Sequence, residues 1–402
     1  MPVSSSIIAS LLGSRDRTVV IAVVAVVAVV TVAVVASLVI RSRRKTKESF
    51  ASKVPGVTTY TFRQRLALKA PSPMGIAISP NQEFLFVGTS TLIEIYRVSD
   101  LSFVFSYHHN NMMGSPCLTF SADGSRLAAG GNGNFVMIVV DYQKLRSNDI
   151  NVQNAALKRV WMYTTTPPSP NSSFFSAFSP DGRTLVAANE HGDNMVYVFD
   201  VVSGKLKGKI DTGRDSTVGI VFLSPTMIAY AKESDDAYKK SGQGSVQAAD
   251  LTTMRRGRSV AVGIQPVRIV RPPGSPYVYV SVRGPEKAPY DSQVAIVSVS
   301  YLLTGTGTGL IKKIGGVGPS AVGLAVIHIK GKPYIMVSAS NRWVKKSKGA
   351  ILIVDPQSGT IVKSIPGGGF PRDILISRSG TVAYVANNQG QSVDVIQLNA
   401  LV

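Results

Sequence analysis

The chain has 402 residues, a formal net charge of +20, 45% hydrophobic and 16% charged residues, and one cysteine, Cys117. This composition excludes a disordered chain and a disulfide-stapled miniature domain, and it is ample for a packed core. A charge of this size points to anionic partners: lipid headgroups, nucleic acid or acidic protein surfaces.

In chain order, residues 1–17 form a short tail. Residues 18–40, TVVIAVVAVVAVVTVAVVASLVI, carry no charge. At ~1.5 Å per residue such a run covers about 34 Å, enough to cross a hydrocarbon core, so a transmembrane helix is predicted. The apolar region of a cleaved secretory signal is shorter, about 7–15 residues. Arg41, Arg43, Arg44, Lys45 and Lys47 follow the run, whereas Arg15 and Arg17 precede it with Asp16 between them. This asymmetry places the tail outside and the large C-terminal region on the cytoplasmic side, with the extracytoplasmic side as the alternative. The basic run Arg41–Lys47 reads as a flank lying on anionic headgroups. Residues 41–56 are a juxtamembrane linker that Pro55-Gly56 closes.

From residue 57 a strand–turn–strand pattern recurs. Its clearest copies are Phe178-Ser179-Pro180-Asp181-Gly182, Phe120-Ser121-Ala122-Asp123-Gly124 and Ile78-Ser79-Pro80-Asn81-Gln82, each followed by an apolar strand. Short strands at a period of about 40–55 residues specify a propeller. First strands open near Met74, Cys117, Phe174, Val218, Val267, Ala321 and Arg372, giving seven blades. Second strands such as FLFVG and VAYVAN and third strands such as MVYVFDV and AILIVDP follow as apolar runs bounded by turn residues. Asp123, Asp181 and Gly182 are turn residues of the repeat. Fourth strands, such as KLKGKI and TIVKSI, are less apolar. Lys205, Lys207 and Lys209 alternate there and protect an exposed edge. The last blade ends at Val402 without a fourth strand, while a spare strand, residues 58–68, precedes the first. The expected domain is thus an all-β, seven-bladed β-propeller over 57–402, closed by strand 58–68 pairing with the last blade and following an N-terminal transmembrane helix.

Tyr384-Val385-Ala386-Asn387-Asn388 followed by Ser392-Val393-Asp394-Val395-Ile396 resembles the YVTN-type, WD-like and lactonase-like, β-propeller repeat. Blade three matches through Ser179 to Gly182, Asn189, Val196, Val198, Asp200 and Ser203-Gly204, and blade six matches from Ile351 to Ile365. Blades four and five are degenerate. The resemblance implies the fold over 57–402; related propellers serve as binding domains, surface proteins and lactone-hydrolysing enzymes.

Chemistry is sparse. No H-E-x-x-H, C-x-x-C, phosphate-loop or nucleophile-elbow pattern is present, so no catalytic residue, cofactor or metal is assigned. His108 and His109 fall in a connection between blades, His328 in a core or channel position, and His191 in the polar loop after Asn189. Cys117 reads as buried core, and Gly305-Thr306-Gly307-Thr308-Gly309 as a flexible connection.

The connections between second and third strands lengthen in blades four, five and six, and extra loop length on a rigid scaffold is where binding resides. They carry Tyr238, Lys239, Lys240, Arg283, Lys287, Tyr290, Arg342, Trp343, Lys345, Lys346 and Lys348. Cations among aromatics suit a protein or anionic polymer partner; nucleic acid fits the charge without a motif. The leading reading is a single-pass, membrane-anchored, non-enzymatic binding platform. The alternatives are a membrane-tethered propeller hydrolase and a structural component of an envelope or surface layer.

Overall fold

The computed structural model describes residues 58–59 and 64–401, except 110–113, 115, 166–172, 191–192, 214–215, 234–241, 286–291 and 341–347. The apolar run 18–40 and its basic flank lie outside the described residues. Among the described residues no helix is long and apolar enough to cross a membrane.

The chain forms seven antiparallel four-stranded blades. Their inner strands are Ile76–Ile78, Cys117–Phe120, Ser173–Phe178, Thr217–Phe222, Pro266–Val270, Ala321–Ile329 and Pro371–Ile376. Blades two and three merge into one sheet through a single pairing of Ser173 with Gly131. The second and third strands are the most buried, as in Phe84–Gly88, Ala350–Val354 and Ser392–Gln397. Outer strands face solvent, as in Leu206–Asp211 and Arg255–Gly263.

Serine-centred turns join first and second strands. Ser179 Oγ donates to Asp181 Oδ1 at 2.5 Å and accepts from Thr184 N at 2.9 Å. Ser121 does the same with Asp123 and Arg126, and Ser79 with Asn81 and Phe84. One hydroxyl thereby fixes the turn residue and the first amide of the next strand. The Ser179 hydroxyl and the Arg183 amide hold the Asp181 carboxyl below its usual range.

The N-terminal strand divides. Gln64–Ala67 pairs antiparallel with Ser392–Gln397 as the outer strand of blade seven. Thr58–Thr59 instead runs parallel to the outer strand of blade six, opposite Lys363 and Ser364. Arg65 lies directly across from Asp394 and bonds it at 2.5 Å. Past this strand, the buried Glu94 of blade one accepts the amides of Ala70 at 2.6 Å and Lys69 at 3.1 Å, and the hydroxyl of Tyr96. Burial and that carboxylate push the Tyr96 phenol far up.

Among the described residues, three short α-helices break the pattern. Tyr142–Leu145 and Ile150–Asn154 fill the connection from third to fourth strand in blade two. Val299–Thr304 does so in blade five, capped by Ser298 and ended by Gly305 at φ 83°, a left-handed position suited to glycine. The glycine run 305–309 is therefore a helix terminus leading into Leu310–Ile314.

Candidate functional site

Inner strands crowd the axis. A Cβ on Gly219 would stand 2.7 Å from Ile269 N and Val267 O of the next blade, and one on Gly75 2.7 Å from Pro116 O. Such close backbone approach requires glycine. Met74, Cys117, Phe175, Val267 and Val322, from five blades, enclose an axial void of only ≈ 10 Å³ together with Arg268, Arg372 and Asp373. A space of that size holds one water at most. These side chains pack about the axis at this level.

Below this plug an ion pair crosses the ring. Arg268 Nη2 of blade five donates to Asp373 Oδ1 of blade seven at 2.6 Å. Asp373 also accepts the amides of Ile76, from blade one, and of Ile374. The Arg268 guanidinium lies 5.3 Å from the centre of the Phe175 ring of blade three. A backbone irregularity within Pro266–Ile269 frees the Arg268 amide, which Ser281 Oγ accepts at 3.0 Å. Burial pushes the Asp373 carboxyl up, and the Arg268 guanidinium pulls it back.

On the far side of Arg268 a basin of ≈ 520 Å³ opens on the face of the first-to-second-strand turns, bounded by blades five, six and seven. Its apolar wall includes Val270, Pro272, Pro273, Ile327 and Ile376. Blade six raises one side, because its first two strands continue as a long hairpin through Lys330 and Gly331, both at positive φ. Four basic side chains line the basin: Arg268, Arg271, His328 and Arg378. Among the described residues no carboxylate does. Arg271 is partly committed, with Nη1 on Leu223 O at 2.5 Å and Nε on Ser275 O at 3.1 Å. Arg378 and His328 are exposed at the rim. This size and mixed lining suit an anionic group carried on an apolar body.

Tyr238, Lys239, Lys240, Lys287, Tyr290, Arg342, Trp343, Lys345 and Lys346 lie outside the described residues. Lys348 is exposed at the foot of the blade-six loop. Arg283 is buried, 3.7 Å from the equally buried Glu233, with Nη1 directed at Gln265 Oε1. It is an internal partner rather than a rim cation.

The other flagged residues also settle. His109 is buried with Nε2 3.3 Å from Thr89 O, and burial pushes its pKa down. His328 stands at the rim of the basin rather than in the core or channel. His191 lies outside the described residues, and its neighbour Asp193 accepts from Asn189 and Tyr197. Among the described residues no group of three or more His, Cys, Asp or Glu could hold a metal ion. The basin has no motif. Its only sequence signal was Arg268 and Arg271 in a first strand and its turn, and Arg378 where the serine-centred turns of blades one to three have Pro or Ala.

No family model matches the chain, and no curated protein matches it. Among solved structures, hydrazine synthase of Kuenenia stuttgartiensis is similar, with a TM-score of 0.63 and 16% identity over 86% of this chain and 98% of that one. At that identity the likeness carries the fold alone: the chain is a seven-bladed β-propeller.

Proposed function

We propose that this chain is a membrane-tethered propeller of the YVTN repeat type that works as a binding platform for an anionic partner. The tether is residues 18–40, with the propeller on the cytoplasmic side, as the Arg41–Lys47 flank favours. The cations that the sequence carries in the second-to-third-strand connections of blades four to six, such as Lys239, Lys240 and Lys287, would add positive charge to the same platform. One observation carries the reading: the basin gathers Arg268, Arg271, His328 and Arg378, with no carboxylate among the described residues that line it.

Octanoate, a carboxylate on an apolar body, tests it. Full-length protein in a non-ionic detergent should bind octanoate saturably in calorimetry and leave 1-octanol unbound. Arg378→Ser removes an exposed charge and no core contact, and should weaken binding about tenfold, the loss of one charge-assisted contact. Equal affinity in that variant, or equal binding of the alcohol, would take the ligand away from the basin.

A further inference from the structure

The rim of the ring carries charge that the basin does not use. In blade two the outer strand Leu157–Thr164 exposes Lys158 and Arg159. Blade three exposes Lys207 and Lys209 in Leu206–Asp211, with Lys205 just before. Blade four exposes Arg255, Arg256 and Arg258, and blade five exposes Lys313. The four strands contain a single carboxylate, Asp211, which accepts from Gly213 N. None of these cations forms an ion pair among the described residues.

Edge protection alone does not explain the distribution. The outer strand of blade one, Phe103–His108, also ends its sheet without a strand partner but has no lysine or arginine of its own; the helix Ile150–Asn154 packs beside it and Lys69 Nζ lies 3.1 Å from the centre of the Phe103 ring. In blade seven the cation, Arg65, is spent on Asp394. The surplus is confined to consecutive blades, and it alternates with exposed apolar side chains: Val160 and Met162, 42% and 44% exposed, then Leu206 and Ile311. Exposed aromatic platforms, which a single-stranded nucleic acid would stack on, do not accompany it there. A flat bilayer would meet only a short arc of such a curved rim. Blade six shows that an outer edge can accept another strand, since Thr58–Thr59 lies along it.

We propose that the outer edges of blades two to five dock an extended acidic segment of a partner protein. It pairs as a fifth strand, sets carboxylates against the cations, and lays its apolar residues on Val160, Met162, Leu206 or Ile311. These residues are separate from the basin, so the proposal does not depend on a ligand there.

The probe is a fluorescent peptide of alternating Glu and Val, titrated into the full chain in non-ionic detergent. A Glu–Ser peptide of equal charge, heparin and oligothymidylate are run beside it. The Glu–Val peptide should bind most tightly and slow amide exchange in the outer strand of at least one of blades two to five. Replacing Lys158, Arg159, Lys205, Lys207, Lys209, Arg255, Arg256 and Lys313 by Ser should weaken it at least about tenfold, because each exposed charge contributes modestly and every edge of the surface loses cations. The melting temperature should hold, since all eight are exposed. Equal binding of the Glu–Ser peptide, preference for heparin or oligothymidylate, or indifference to the charge replacements overturns the proposal. Arg378→Ser should leave peptide binding unchanged, which separates this edge from the basin.

Discussion

Arg268 serves two surfaces at once. One side of its guanidinium meets Asp373 and the Phe175 ring, tying blades five, seven and three across the axis. The other side forms part of the basin, and 26% of the side chain stays exposed. A carboxylate as buried as Asp373 tolerates its charge only with such a partner. Arg268→Met should therefore destabilise the propeller by about 3 kcal/mol, the low end for breaking a buried pair because Arg268 keeps some water contact. Adding Asp373→Leu should recover much of that loss, since the pair leaves together. Urea denaturation of the two variants checks this. An additive double variant, more unstable than Arg268→Met, would mean that the two groups do not interact.

At the scale of the strand, the apolar runs located every inner strand to within a few residues, because strands packed between neighbouring blades read as near-continuous apolar runs and the turns recur with the blade. The Ser-Pro-Asp-Gly turns were legible because their side chains bond locally. The short helices were not, because a six-residue segment such as Val299–Thr304 carries too few turns to show a period. The basin was not legible either: its side chains come from three blades, brought together only by the ring's closure. The closing strand itself rests on Arg65–Asp394 and on the Glu94 carboxylate beyond it. Deleting residues 58–67 should leave the inner face of Ser392–Gln397 covered but its edge open. The expected outcome is a melting temperature lowered by several degrees and concentration-dependent association in sedimentation velocity, as an unpaired edge recruits another chain. A deletion variant that stays monomeric with an unchanged melting temperature would show that closure rests on the blade-to-blade packing instead.

Across the whole molecule, closure packs inner-strand side chains about the axis, and the chain carries its own reporter of that packing. Cys117 is the only cysteine, lies 6% exposed on the inner strand of blade two, and lines the ≈ 10 Å³ axial void. A thiol reagent is far larger than that void, so it can reach the sulfur only when inner strands separate. The strands of one blade cannot leave the axis without uncovering those of its neighbours, which makes this opening close to global unfolding. Native protein should therefore react with an aromatic disulfide reagent orders of magnitude more slowly than denatured protein, at a rate that rises with urea in step with loss of structure. Arg268→Met should speed the reaction in proportion to its lost stability when reclosing outpaces modification. Arg378→Ser, at the exposed rim of the basin, should not change it. Rapid stoichiometric labelling of the native chain would mean that the axial plug opens without the ring, and that the basin connects to a passage through the propeller.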